Sequence, residues 1–512
     1  MPQRLGRPGY PPALLAAAVT VAALSLLPVA YVLGDTVSVG WTEAYALIVR
    51  PRVGELLRNT VLLTVIGMAT SAALGTGLAW LVERTVLPGR RVWNVLLAAP
   101  LAVPAFVTSF GWVSLFPSVA SPLGALLVIT LAYYPLVYLP VAVTLRGLDP
   151  ALEETAAALG LGTAATFRRV VLPQLRPALL GGSLLVGLHL LSEFGALQLL
   201  RVETFTTAIY DQYSSSFSSP TASTLAAVLL LLCALLLVGE LRLRGLRRYA
   251  RLGSGAARTV ARRPLGRAGA PVLVVASTVV VLALGIPVGS IVRWLVMGTG
   301  AAFPVQGLLT SAGTSLALGA AAAVVTTVLA LPVAVLAVRH VGRLSSTVER
   351  TTYCANALPG IVVALALVTV SLRVVEPLYQ TTVLLLAAYA VLYLPRAVVT
   401  LRAALEQAPE VLDEVAQSLG ASRWSTLRRV TLPLIGRGSR AGAALVFLGV
   451  VTELTATLLL APLGTSTLAT EFWSQSSQLI YGAAAPYAAL MILLSAPATF
   501  LLTRDVRQAE LL

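Results

Sequence analysis

The strongest constraint on this chain is where its charge is missing. Apolar runs recur along nearly all of its 512 residues, near 12–33, 57–82, 92–116, 122–145, 177–200 and 222–241. A second set follows near 271–296, 314–338, 353–372, 378–401, 441–460 and 482–503. Each run is close to the roughly 20 residues that an α-helix needs to cross a bilayer's hydrocarbon core. Charged side chains make up 11 % of the chain, against about 25 % in a soluble domain. That balance excludes a water-soluble globular protein, a disordered chain and a disulfide scaffold. The expected fold is an all-α integral membrane protein of about 12 transmembrane helices, numbered here as spans 1 to 12 in the order given.

The charges that remain sit mostly between the runs, and they carry orientation. All 36 basic residues are arginine, and the formal net charge is +15. Arg4 and Arg7 precede the first run as they would in a secretory signal, but the run is longer than a signal core and lacks a clean A-x-A site. It reads as a retained helix with a cytoplasmic N-terminus. With that start, 29 arginines fall in inside loops and six outside, while Arg396 lies within span 10 near its inner end, where it can snorkel. So lopsided a split predicts twelve spans with both termini cytoplasmic. It also makes the basic balance a topology signal and gives no reason to expect a nucleic-acid partner. Because the chain has no lysine, it cannot contain a P-loop, whose lysine reaches the phosphates. Any ATP hydrolysis of that type belongs to another polypeptide. Cys233 and Cys354 provide neither a disulfide framework nor a metal cluster.

The two sets of six repeat each other. Leu136–Pro140 (LVYLP) matches Val391–Pro395 (VLYLP) at an offset of 255, as Pro104 matches Pro359. After the fourth span of each set the offset becomes 260, pairing Gly160 with Gly420, Pro173 with Pro433, Glu193 with Glu453 and Thr207 with Thr467. The reading is a first half over 1–241, a basic cytoplasmic linker over 242–270 and a second half over 271–512. The linker is either a solvated topology anchor or a contact for anionic lipid. Halves that both start inside are parallel repeats about an axis along the membrane normal, an arrangement that ion-coupled secondary transporters also use.

The longest inside loops follow the fourth span of each half, over 149–173 and 409–433. They read LEETAAALGLGTAATFRRVVLP from Leu152 to Pro173 and LDEVAQSLGASRWSTLRRVTLP from Leu412 to Pro433. Both fit E-x-A-x-x-x-G, nine residues, an aliphatic residue, any residue, then L-P. Glu154, Ala156, Gly160, Val170, Leu172 and Pro173 fill the pattern first; Glu414, Ala416, Gly420, Val430, Leu432 and Pro433 fill it again. Asp149-Pro150 can start a short helix, with Glu153 and Glu154 in the first turn where the helix dipole favours acids. Gly160 can end it in the left-handed conformation. A second stretch with Phe167, Arg168 and Arg169 follows, and Pro173 marks the entry to the next span.

This doubled loop resembles the EAA loop of ABC-importer permeases that work with substrate-binding proteins. The departures are Thr155 and Val415 in place of the usual first alanine. The resemblance implies the type I importer permease fold and no catalysis in this chain. It implies two copies of an ATPase subunit, carrying ATP and Mg, that receive the loops as coupling helices. Glu154, Ala156, Gly160, Leu172, Pro173, Glu414, Ala416, Gly420, Leu432 and Pro433 would form those contacts. It further implies an extracytoplasmic substrate-binding protein and a place in the cytoplasmic membrane.

Within that family the iron(III) branch is the most similar, because its permease is one fused chain of two halves. SEFGALQLLRVETFTTAIYDQY, from Ser192 to Tyr213, and TELTATLLLAPLGTSTLATEFW, from Thr452 to Trp473, look like the corresponding ferric-permease segments. Thiamine permeases share the fused design, and polyamine and oxyanion permeases share the loop.

Glu193 and Glu453 stand at equivalent places in the outer parts of spans 5 and 11. A carboxylate there is a candidate for the translocation path, where two facing each other would attract a hard cation. The other reading is that each caps broken helix backbone or bonds a neighbouring span. Tyr134 and Tyr389, with Tyr138 and Tyr393, either line the path or pack around Pro140 and Pro395. His189 lies one turn before Glu193, but its repeat partner is Gly449, which argues against a symmetric metal site. No resident metal is expected.

Overall fold

The computed structural model describes residues 11–216, 219–244, 262, 264–298, 305–340, 342–355 and 358–508. Among these, every regular element is helical. Eight helices are long and apolar enough to cross a bilayer. Arg90–Ala102 with Ala105–Leu115, bent by 92°, and Trp424–Leu434 with Gly438–Val451, bent by 73°, fall at the places of spans 3 and 11, each as a broken span or a re-entrant loop. The shorter helices Gly360–Val374 and Tyr481–Pro497 take the places of spans 9 and 12. Each expected apolar run thus contains helix, but among the described residues eight helices, or ten with the two bent pairs, have the length and composition to cross a bilayer, against the twelve expected. Most of the proposed linker lies outside the described residues.

The chain forms two compact units that cut across the sequence halves. One comprises Met1–Ala44, Ser218–Ala227 and Val305–Glu471; the other comprises Tyr45–Phe217, Val228–Pro304 and Phe472–Leu512. In the first unit, span 1 (Pro12–Ser38) packs on Val305–Arg339, Arg343–Cys354 and Gly360–Val374, all from the second half. Asp35 near its end pairs with Arg373 at 2.7 Å, and the guanidinium lies 5.9 Å from the Tyr31 ring. In the second unit, Ile286–Met297 of span 7 packs on Ala105–Leu115. There Ser114 and Ser290 hydroxyls meet at 2.7 Å. Gly111 permits this approach, since a Cβ at that position would stand 2.6 Å from Pro287 Cα. Duplication records the origin of the sequence, whereas compactness follows which apolar faces meet; each half's first span therefore belongs to the other half's body.

Two helices set the scale of the sites below. Pro51–Arg84 and Val305–Arg339 have 34 and 35 residues. At 1.5 Å per residue each is roughly 50 Å long, against a hydrocarbon core of about 30 Å. Each is long enough to reach past that core, and its last residue, Arg84 or Arg339, pairs with a long loop.

Candidate functional site: paired loops and broken helices

Each loop begins with a nine-residue helix, Pro150–Ala158 or Glu410–Ser418. Asp149 caps the first, accepting the Ala151 amide at 3.0 Å. Both helices close with the same pair of bonds. Gly160 N–H donates to Ala157 O and Leu161 N–H to Ala156 O; Gly420 N–H donates to Gln417 O and Ala421 N–H to Ala416 O. This is the Schellman closure, which requires a left-handed residue after the helix. Gly160 has φ +80° and Gly420 has φ +89°. The alanine and glycine of the motif are thus two ends of one backbone turn.

The second part of each loop differs from the expected separate stretch. Helix runs without interruption from Thr163 to Ser192, so Pro173 lies inside it and does not mark its start. The helix passes the proline through a wider π turn, Phe167–Val171, in which Leu172 N–H donates to Phe167 O. Leu427–Thr431 repeats this, with Leu432 N–H donating to Leu427 O. Proline offers no N–H and its ring would strike the carbonyl four residues back; the extra residue in the turn relieves both.

Ion pairs that sequence reasoning missed tie the loops to the long helices. Arg84 meets Glu153 at 2.7 Å, and Arg339 meets Asp413 at 3.2 Å. The partners are repeat-equivalent, so the offsets of 255 and 260 carried a signal for them. Thr431 Oγ1 donates to Asp413 Oδ1 at 2.8 Å, joining the second loop's helix to its π turn. Beneath the first loop, Glu83 accepts from Arg90 and from Arg146 Nε, the latter at 2.8 Å. In the second half Glu349 accepts from Arg402 and, at 2.7 Å, from the Tyr353 hydroxyl.

Glu154 and Glu414 are exposed. Two further residues complete the outward face: Leu159 and Leu419, one residue before each glycine, are 77 % and 83 % exposed. Full burial of a leucine side chain is worth about 2 kcal/mol, so each of these exposed leucines would gain by being covered. The motif positions placed Gly160 and Gly420 but not these leucines, because the pattern leaves that position open.

The two carboxylates within the spans occupy breaks in the helices. Span 5 ends at Ser192 and the chain resumes as Gly195–Leu199; span 11 ends at Val451 and resumes as Thr455–Leu460. Glu193 Oε1 accepts the Ala196 amide at 3.0 Å, and Glu453 Oε1 accepts the Ala456 amide at 3.0 Å. The second oxygens accept from tyrosine: Glu193 Oε2 from Tyr133 OH, and Glu453 Oε2 from Tyr393 OH at 3.1 Å. Hydroxyls of Thr206 and Thr457 bind the carbonyl oxygens of Glu193 and Glu453. The freed backbone groups are thus satisfied locally, as broken helices inside a membrane require.

Tyr134 and Tyr389 are 0 % and 1 % exposed, so neither borders open space in this conformation. Tyr389 OH lies 2.8 Å from Thr457 Oγ1, whereas Tyr134 OH has no partner because Leu197 stands where Thr457 would be. Tyr138 OH donates to Asn94 at 2.6 Å. His189 Nδ1 lies 2.8 Å from Leu185 O. Among the described residues, no group of three or more His, Cys, Asp or Glu is placed to hold a metal ion.

Comparison with known proteins fits this doubled architecture. Residues 71–242 and 326–504 each match the family described as binding-protein-dependent transport system inner membrane component. The chain is 39 % identical over 502 residues to the Fe(3+)-transport system permease protein FbpB 2 of Haemophilus influenzae, covering 97 % of this chain and 99 % of that one. The sulfate transport system permease protein CysT of Salmonella typhimurium is 28 % identical over 251 residues, which is 45 % of this chain and 90 % of its own. CysW of Escherichia coli, also a sulfate transport system permease protein, is 30 % identical over 231 residues, or 41 % and 79 % of the two chains. Two matched segments in one polypeptide, and a full-length relative, show that the chain belongs to the binding-protein-dependent transport system inner membrane components, as a two-half permease subunit and not an enzyme.

Proposed function

We propose that this chain is the membrane subunit of an ATP-driven importer for ferric iron. The full-length similarity to an Fe(3+)-transport permease supports that cargo, since the sulfate permeases match less than half of the chain. An extracytoplasmic binding protein delivers the iron, and two copies of an ATPase subunit bind at the cytoplasmic loops. ATP and Mg are held by those subunits, in keeping with the absence of lysine and hence of a P-loop here.

The geometry suits transmission of force. In each loop, Leu159 or Leu419 with the neighbouring exposed glutamate offers a contact for the ATPase. The Schellman turn keeps that contact rigid, and the ion pair to Arg84 or Arg339 passes its displacement to a long helix. The first π turn continues directly into span 5 and the second leads through a 73° bend into span 11; the far ends of these spans are the breaks at Glu193 and Glu453. We assign those breaks to the border of the route, with the carboxylates holding their shape. Closure of the ATPase pair on ATP would then switch packed elements between two arrangements.

Uptake of radiolabelled ferric iron by cells with and without the gene tests the cargo, with labelled thiamine and sulfate as comparison arms. Loss of iron uptake alone is expected. Intact iron uptake would overturn the cargo, and a fall in thiamine or sulfate uptake instead would name its replacement.

A further inference from the structure

Beside the first loop lies a hollow to which the proposed transport cycle assigns no role. It has a volume of about 690 Å³, within the range of ~300–1,000 Å³ typical of ligand sites. Ala73, Thr76, Gly77 and Trp80 of span 2 form one wall, while Phe167 and Leu179 form the other. Trp80 and Phe167 meet edge to face with ring centres 4.9 Å apart. Its lining is almost wholly apolar, and it flanks the loop end of a membrane-spanning helix, where acyl chains are the available apolar material. A further observation points to a ligand with a polar head. Arg168 and Arg169 directly follow Phe167 and are exposed.

The second half does not repeat these walls. Val328, Leu331, Pro332, Val335 and Leu427 stand at the positions of Ala73, Thr76, Gly77, Trp80 and Phe167. Small floor residues and both aromatic walls are replaced, although Arg428 and Arg429 persist. The hollow is therefore a property of the first loop, not a by-product of the repeat.

We propose that this hollow binds one anionic phospholipid, with an acyl chain lying along the Trp80 and Phe167 rings and the phosphate at Arg168 and Arg169. Each arginine near an anionic headgroup is worth enough that the pair favours an anionic over a zwitterionic lipid by at least about tenfold. The bound lipid wedges span 2 against the π turn, beside the ion pair that joins the loop to that span.

Native mass spectrometry of the purified full-length chain, titrated with phosphatidylglycerol or phosphatidylcholine of identical acyl chains, tests this. Wild-type protein should retain one phosphatidylglycerol at least about tenfold more tightly than phosphatidylcholine. Gly77→Leu places a side chain in the hollow, and a Cβ there meets nothing within 4 Å, so the helix itself accommodates it. This variant should lose the tightly held lipid. Gly239→Leu, at an equally open position away from the hollow, should retain it. Arg168→Gln with Arg169→Gln should bind the two lipids alike. Equal binding of both lipids by wild type, meaning an annular coat only, would overturn the site, as would unchanged phosphatidylglycerol retention by Gly77→Leu.

Discussion

Arg84 and Glu153 form an ion pair at 2.7 Å with both side chains largely buried, and it joins the end of a helix of 34 residues to a loop that begins 65 residues later. The repeat preserves the link as Arg339 and Asp413 at 3.2 Å, with aspartate in place of glutamate. Loss of one partner from such a pair leaves the other charge buried and costs about 3 kcal/mol. Arg84→Gln should therefore lower uptake several-fold while ATPase subunits still co-purify, because the loop remains but its connection is lost. The charge-reversed pair Arg84→Glu with Glu153→Arg should recover part of the loss. Full uptake in Arg84→Gln would show that force takes another route.

Gly160 and Gly420 present a second test. At φ +80° and +89° a β-branched residue is strained by about 1–2 kcal/mol per site. Gly160→Val with Gly420→Val should unseat both turns, and with them the orientation of Leu159 and Leu419. Association with the ATPase, measured by co-purification, should fall at least tenfold, while membrane insertion stays normal. Wild-type association and uptake in the double variant would remove these loops from the coupling.

The equivalent tyrosines Tyr134 and Tyr389 should respond oppositely to loss of their hydroxyls. Tyr389→Phe removes a bond to Thr457 and leaves that hydroxyl with fewer partners, a cost of about 1 kcal/mol. Tyr134→Phe removes a buried hydroxyl that has no partner, so it should be neutral or stabilising. Thermal unfolding of the purified variants in detergent measures the difference. A loss of stability in Tyr134→Phe as large as that in Tyr389→Phe would refute the assignment.

Glu193 and Glu453 allow charge to be separated from capping. Glutamine retains an oxygen for the Ala196 or Ala456 amide and removes the charge; alanine removes both. If the carboxylates hold the breaks, Glu193→Gln and Glu453→Gln should keep uptake within about twofold, and the alanine variants should each lose about 1 kcal/mol of stability. A collapse of uptake in the glutamine variants with unchanged stability would show that the charges themselves meet the cargo.

Much of this was legible in the residues. The twelve apolar runs followed from the cost of burying backbone and charge in lipid, which leaves a chain few alternatives. The repeat offset, the doubled loop and the left-handed glycines were visible because each depends on residue type at a fixed local spacing. Carboxylate capping at Glu193 and Glu453 was one of two open readings, since a lone acid in an apolar run signals either role.

Tertiary structure decided what local spacing does not encode. That Pro12–Ser38 packs on second-half helices, and that Arg84 reaches Glu153, depend on which faces meet across long stretches of chain. The same applies to the tyrosines: Glu193 receives Tyr133, whereas Glu453 receives Tyr393, although those tyrosines are not repeat-equivalent. A hydroxyl seeks whichever acceptor packing brings near, and small sequence differences between the halves, such as Leu197 against Thr457, redirect it. The sequence by itself determined the membrane-spanning helices, their duplication and the turns of the paired loops; only packing in three dimensions selected their partners, because side-chain contacts between distant segments depend on geometry that no local pattern carries.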